Sequence, residues 1–354
     1  MATIINNTKV TALNPPLGGG GAKFLILRFS SIGDIVLTTP VIRCLKKQLP
    51  NTTIHYATKL AYSSIVESNP YISKVLILRD SMEELLAAIA LENYDGIIDL
   101  HNNLRTLQIK KHFKKKPATT FKKLNIEKWL LTNLKINRLP NVHIVDRYMH
   151  TVEHLNVKND GQGLDYFIPE TDKIKQADIP TSHFAGFIGI VIGAAHATKQ
   201  MPTHKLMELC AAIKHPIILL GGKADYLTGK AIAEQDTFKI YNACGKFSLH
   251  ESADIVRQSK FVISNDTGLM HIAAAFKKPI ISLWGNTVPS FGMTPYYGNY
   301  NVNNAIFEIK NLWCRPCSKI GYNTCPKQHF KCMELINVND IVTTVQNFLG
   351  ATLK

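Results

Sequence analysis

The sequence predicts an α/β protein made of two doubly wound parallel sheets, and three observations lead there. From Lys23 onward short apolar runs alternate with amphipathic stretches, the pattern of strands and crossover helices. A polar stretch over 156–183, carrying Gly161, Gly163, Pro169 and Pro180, separates two such series. The length of 354 residues also exceeds the roughly 250 to 300 at which a single core stops growing.

In the first series the strands fall at 24–29, 54–58, 74–78 and 96–100, with helices at 35–48 and 82–93. In the second, strands at 187–192, 216–220, 239–243, 261–264 and 279–283 alternate with helices at 203–213, 227–234, 249–259 and 269–276. Residues 1–22, ending in Gly18 to Gly21, read as a flexible tail, followed by domains at 23–170 and 171–354, the latter with a Cys-rich segment. Open parallel sheets bind ligands outside the carboxyl ends of their strands, so a cleft faced by both domains is the expected site.

Composition narrows the partners. A hydrophobic content of 45% with 19% charged residues excludes disorder over most of the chain. The 41 Lys and Arg against 26 Asp and Glu leave a net charge of +15, which favours nucleic acid, a phosphorylated ligand or an anionic membrane surface. Seven cysteines, an odd number in a chain this long, fit a reducing compartment, and the expected location is cytoplasmic. No run approaches the roughly 18 to 20 apolar residues of a membrane span, so membrane contact would be peripheral.

Three strand-to-helix turns carry the chemistry. The first, Arg28 to Pro40, places Ser31 and Gly33 before Asp34 at a helix start. Asp34 there is either a first-turn cap or a general base that the helix end keeps ionised. The second runs from Ser264 to Ala273; Asp266 and His271 have bland readings as cap and core histidine. Thr267 and Gly268 open a helix whose N–H groups suit a diphosphate. The third, Gly193 to Pro202, leaves Thr198 and Lys199 in the loop before a helix, with Lys199 either a surface charge or a phosphate ligand.

At these stretches the sequence resembles the ADP-heptose:lipopolysaccharide heptosyltransferases, glycosyltransferase family 9, from about Lys23 to about residue 350. The S-x-G-D-x-x-x-T-x-P pattern is Ser31 to Pro40, and the D-T-G-x-x-H-x-A pattern is Asp266 to Ala273. The resemblance implies a GT-B fold and an inverting, metal-independent transfer of heptose or a related sugar from an ADP-sugar donor. By this likeness Asp34 is the catalytic base, with Ser31 and Gly33 beside the acceptor. Thr198, Lys199, Asp266, Thr267, Gly268 and His271 line the donor diphosphate and sugar pocket, and Asp225 meets the ribose. The implied acceptor is an anionic lipid-linked glycan at the cytoplasmic face of the inner membrane. One departure is Met201, where the family usually has Trp two residues after the Lys.

Physical chemistry points the same way. Displacing a diphosphate from an anomeric carbon needs an activated hydroxyl and a stabilised leaving group. The chain has no D-x-D pair for a metal ion, so Lys199 and backbone amides take the cation's place and no cofactor is required for catalysis.

Two further features stand apart. Residues 101–125 hold eight Lys or Arg and no acid, a solvated face or a contact for anionic lipid, with Asn102, Asn103 and Arg105 as acceptor contacts. Cys314, Cys317, Cys325 and Cys332 have the count for a structural zinc. Two alternatives remain: another nucleotide sugar as donor, or a basic nucleotide- or RNA-binding module. Nucleic acid ranks third among anionic partners because only Phe113 and Phe121 interleave the basic stretch.

Overall fold

A computed structural model describes residues 21–351. The flexible tail expected over 1–22 therefore falls almost wholly outside the described residues. By contacts the chain groups into two compact units, each discontinuous in sequence. One comprises Met1–Ser30, Val41–Lys122 and Asp146–Asn159; the other comprises Ser31–Pro40, Lys123–Val145 and Asp160–Lys354. Composition suggests a single cut near residue 170, whereas packing places Ser31–Pro40 and Lys123–Val145 with the later residues.

The first unit holds a five-stranded sheet of β1 (Lys23–Leu27), β2 (Thr53–Lys59), β3 (Lys74–Leu78), β4 (Gly96–Asp99) and β5 (Ala118–Thr120), all parallel, in the order β3-β2-β1-β4-β5. Its core joins Leu25, Leu27, Ala57, Leu76 and Ile97 from the strands to Leu85, Ile89 and Ile109 from the helices. Burial of nearly all of β1 and β4 explains why these strands read as unbroken apolar runs. The order reverses between β1 and β4. There Phe29 N–H donates to His101 Nδ1 at 3.0 Å, and the Arg28 guanidinium donates to the Leu100 carbonyl at 2.6 Å and Tyr148 Oη at 2.9 Å.

The second unit holds a six-stranded parallel sheet of β6 (Ile188–Val191), β7 (Ile217–Leu220), β8 (Ile240–Asn242), β9 (Val262–Asn265), β10 (Ile280–Trp284) and β11 (Asn304–Glu308). The order is β11-β10-β9-β6-β7-β8, the doubly wound arrangement with its reversal between β6 and β9. A core of Ile190, Ile217, Ile263 and Leu283 from the strands and Leu206, Leu209 and Ile341 from the helices packs one layer on the other.

The helix expected over 35–48 is two helices, Ile32–Val36 and Thr39–Gln48. Pro40 lacks an N–H and fits only a first turn, so the helix restarts there. The short edge strands β5 and β11 had no apolar run to mark them, because each is partly exposed.

Candidate functional site

Each candidate residue of the second unit follows the carboxyl end of a strand, where the chain leaves the sheet and polar groups gather. After β6, the Ala197–Lys199 turn carries Lys199. After β9 come Asp266 and Thr267, then the Gly268–Ala275 helix. Asn265 ties the two strand ends together, its Nδ2 donating to the carbonyls of Val191 at 3.2 Å and Ile192 at 3.1 Å.

At this reversal Lys199 Nζ lies 2.6 Å from Asp266 Oδ2, with the two side chains 17% and 11% exposed. The same oxygen accepts from Thr287 Oγ1 at 2.9 Å. Asp266 thus holds the lysine. A carboxylate so placed would repel a diphosphate on its own, but it keeps an ammonium at the mouth of the sheet.

Thr198 is turned inward. Its side chain is buried, and its hydroxyl accepts from Tyr322 N–H at 2.8 Å while lying 3.2 Å from Asn286 Oδ1 and 3.1 Å from the Tyr322 carbonyl. Its single O–H is engaged there, so the hydroxyl shapes the loop under Lys199 instead of presenting itself to a ligand.

Asp34 lies in the Ile32–Val36 helix, within the same compact unit as Lys199. Its Oδ2 accepts from Ser31 Oγ at 2.7 Å and from Ser31 N–H at 3.3 Å. Asp34 therefore does cap the helix start, and Ser31 orients the carboxylate. The helix packs on Gly268–Ala275 through two glycines. A Cβ on Gly33 would meet His271 Cδ2 at 2.5 Å, and one on Gly268 would meet Ile32 Cγ2 at 2.7 Å. Close approach, not turn geometry, requires glycine at these two positions.

His271 is buried beneath this contact, and burial pushes its pKa down to about 4 against the pull of Asp266 and Asp34. It is neutral at pH 7, and its Nδ1 has no hydrogen-bond partner among the described residues. Thr267 precedes the Gly268–Ala275 helix in extended conformation, with no side-chain cap bond to the helix. The helix start thus presents N–H groups that have no intrahelical acceptor.

Asp225 sits after β7 in the Lys223–Asp225 turn and accepts from Gly222 N–H at 2.8 Å. Its carboxylate fills the space beside Gly193 and Gly221, where a Cβ on either would strike it, so it lies against the ends of β6 and β7.

In the first unit the candidate acceptor residues separate. Asn103 caps the Leu104–His112 helix, its Oδ1 accepting from Thr106 N–H at 3.0 Å. Asn102 donates to the Phe121 carbonyl at 3.0 Å. Both asparagines hold the loop together, and Arg105 alone of the three directs an exposed cationic side chain to solvent. Lys110 is drawn inward to the fully buried Asp99 at 2.7 Å, so the basic stretch includes one internal ion pair.

The four cysteines share one neighbourhood but form no metal cage. Cys317 Sγ donates to the Cys314 carbonyl at 3.0 Å, and Cys314 Sγ lies 3.8 Å from His329 Nε2. Among the described residues no three His, Cys, Asp or Glu side chains are gathered as a metal ion requires. Burial raises the Cys317 thiol to about 11 and Cys332 to about 12, so both are protonated at pH 7 in this arrangement. Four thiolates around zinc would need both deprotonation and convergence of the side chains.

Sequence reasoning missed Asn286 and Thr287 after β10, and Arg315 beyond β11. The Trp284-Gly285-Asn286-Thr287 turn follows an apolar strand like the other three, so the same rule could have found it. Among the described residues no helix is long and apolar enough to cross a membrane.

The model of glycosyltransferase family 9 (heptosyltransferase) matches residues 82–327. Lipopolysaccharide heptosyltransferase 1 of Campylobacter coli is 25% identical over 359 residues, spanning 93% of this chain and 99% of that protein. Among solved structures, a glycosyl transferase family 9 protein of Veillonella parvula aligns with a TM-score of 0.75 at 23% identity, over 95% of this chain and 99% of its own. The ADP-heptose lps heptosyltransferase II of E. coli aligns with a TM-score of 0.71 at 17% identity, over 94% and 100%. Together with the two parallel sheets, these likenesses establish the GT-B fold of two Rossmann-like domains.

Proposed function

Because the chain belongs to glycosyltransferase family 9 and is a glycosyltransferase, we propose that it transfers heptose or a related sugar from an ADP-sugar to a lipopolysaccharide-core acceptor. The observation that carries the reading is the packing of the Asp34 helix on the Gly268–Ala275 helix, in the same unit as Lys199. A base and a leaving-group cradle are thereby built into one compact body.

In the proposed reaction the acceptor hydroxyl oxygen attacks the anomeric carbon while its proton passes to the Asp34 carboxylate. The bond from that carbon to the diphosphate oxygen breaks, and its electron pair leaves with the nucleotide diphosphate. One displacement of this kind inverts the anomeric configuration. Lys199 and the N–H groups opening the Gly268–Ala275 helix stabilise the departing charge, the service a metal ion gives in other transferases. Asp266, itself bonded by the Thr287 hydroxyl, holds Lys199 until the diphosphate competes for it. In this reading Asp225 meets the ribose hydroxyls, and its position beside the ends of β6 and β7 supports the assignment.

The acceptor is an anionic lipid-linked glycan met at the cytoplasmic face of the inner membrane. The support is the net charge of +15 and the exposed Arg105, with Lys114, Lys115 and Lys116 nearby in sequence. The test combines a calorimetric screen of ADP- and UDP-sugars with transfer assays on the wild type and Asp34→Asn. Binding of an ADP-sugar, with transfer lost in the variant and donor binding kept, is the expected result. Selective binding of a UDP-sugar would redirect the donor assignment, and undiminished transfer by Asp34→Asn would remove the base.

A further inference from the structure

Arg315 stands between Cys314 and Cys317, on a loop the proposed reaction does not use. Its side chain is only 5% exposed and is spent on two strand ends. Nε donates to the Gly285 carbonyl at 2.5 Å, and Nη2 donates to the carbonyls of Thr287 at 2.7 Å and Trp284 at 3.3 Å. Nη1 donates to Glu308 Oε2 at 2.6 Å and to the Ile309 carbonyl at 3.1 Å. The guanidinium fork is thus clamped onto the turn after β10 and tied by an ion pair to the end of β11.

That turn leads directly to the donor site. Thr287, whose carbonyl Arg315 grips, donates its hydroxyl to Asp266, and Asp266 holds Lys199. A second lacing runs beside the first. Asn286 N–H donates to the Thr198 carbonyl at 3.3 Å, Cys317 N–H donates to the Asn286 carbonyl at 3.3 Å, and Tyr322 N–H donates to Thr198 Oγ1. Both residues of the Thr198-Lys199 pair are therefore reached from the Arg315 loop through hydrogen bonds.

We propose that Arg315 is a positioning residue of the donor-phosphate site, fixing the 284–287 turn so that Thr287 and Asp266 present Lys199 ready for a diphosphate. The proposal rests on the reading of Lys199 as a donor-phosphate ligand. A lysine carries a long flexible stem, and holding its ammonium in place before the ligand arrives removes an ordering cost from binding. A planar guanidinium with several fixed donors suits that task, because its geometry is set by the fork and not by packing alone. A lysine at 315 has one point charge and cannot span the same carbonyls.

The test is calorimetric titration of the full chain with ADP, comparing the wild type with Arg315→Gln, Arg315→Lys, Thr287→Val and the Arg315→Gln/Thr287→Val double variant. Arg315→Gln is expected to raise the Kd about tenfold or more, Arg315→Lys to recover part of the loss, and Thr287→Val to reproduce part of it. The double variant is expected to bind no more weakly than Arg315→Gln, because both changes cut one relay. If Arg315 serves stability alone, its variants lower the binding-competent fraction and the Tm while the Kd stays at the wild-type value, and the proposal is overturned. Strictly additive losses in the double variant overturn it as well. Should Arg315→Gln fail to fold, Thr287→Val decides, and an unchanged Kd there ends the proposal. A wild type that does not bind ADP removes the donor reading of Lys199 and the proposal with it. A wild type that binds, with variants that bind equally well, removes the proposal alone.

Discussion

The imidazole of His271 occupies the space a side chain on Gly33 would need: a Cβ there would lie 2.5 Å from Cδ2 and 3.3 Å from Nε2. Two helices approach at backbone distance because each has a glycine at the contact, Gly33 on one and Gly268 on the other. Gly33→Ala should therefore push the Ile32–Val36 helix off its partner. The expected cost is about 1 to 3 kcal/mol of stability, with a loss of transfer rate from the displaced Asp34. Chemical denaturation and steady-state kinetics on the same preparation check both parts; a variant with wild-type stability and rate contradicts the contact.

Removing Lys199 should be felt twice. Lys199→Met takes the proposed charge from the leaving diphosphate and leaves Asp266, 11% exposed, without its cation. Transfer should fall about 10²- to 10³-fold in kcat/KM, and stability should fall as well. Lys199→Met/Asp266→Asn should regain stability but not transfer, since the buried charge is relieved and the phosphate ligand is still missing. Recovery of transfer in that pair would place the phosphate contact elsewhere.

Lys110 and the lysines that follow it should behave differently despite sharing one basic run. Lys110→Met strands Asp99, whose side chain is fully buried, and should cost about 3 to 5 kcal/mol. Lys114→Ser and Lys115→Ser should stay within about 0.5 kcal/mol, as substitutions at exposed positions do. Urea denaturation of the three variants compares them directly, and equal effects would mean that the Asp99 pair contributes nothing.

Acid should weaken the fold before carboxylates titrate fully. Burial lowers the pKa of His271 to about 4 from 6.5, and burial also lowers His55, His154, His183 and His215. The unfolded chain takes up these protons near pH 6.5, whereas the folded chain resists them. Stability is therefore complete above that pH and is lost as pH falls toward the folded values. The His271 shift alone corresponds to about 3 kcal/mol. Denaturation midpoints at about pH 7 and about pH 5 should differ clearly, and by less in His271→Gln. Flat midpoints would show that His271 is not buried neutral.

What the sequence discloses of this site is the set of strand ends. Asp34, Lys199, Asp225 and Asp266 each follow an apolar run and precede a helix, and the six-stranded parallel sheet gathers the last three at one edge. What it does not disclose is which polar groups are spent on one another. Thr198 reads as a phosphate ligand until Tyr322, 124 residues later, takes its hydroxyl. Asn103 reads as an acceptor contact until its helix is seen to begin one residue on. Arg315 is invisible because its partners come from the ends of two strands brought together only by the sheet. The strands β5 and β11 escaped for a related reason: an edge strand with exposed positions carries no apolar run.

The grouping of Ser31–Pro40 with the later unit has a practical side for protein engineering. Halves exchanged between relatives at a junction near residue 170 would pair the Asp34 segment of one parent with the His271 and Gly268 surface of another. A hybrid that retains its chemistry has to carry Ser31–Pro40 and Lys123–Val145 across together with the C-terminal half. The gene order of the two halves and the order in which they can be recombined are therefore not the same.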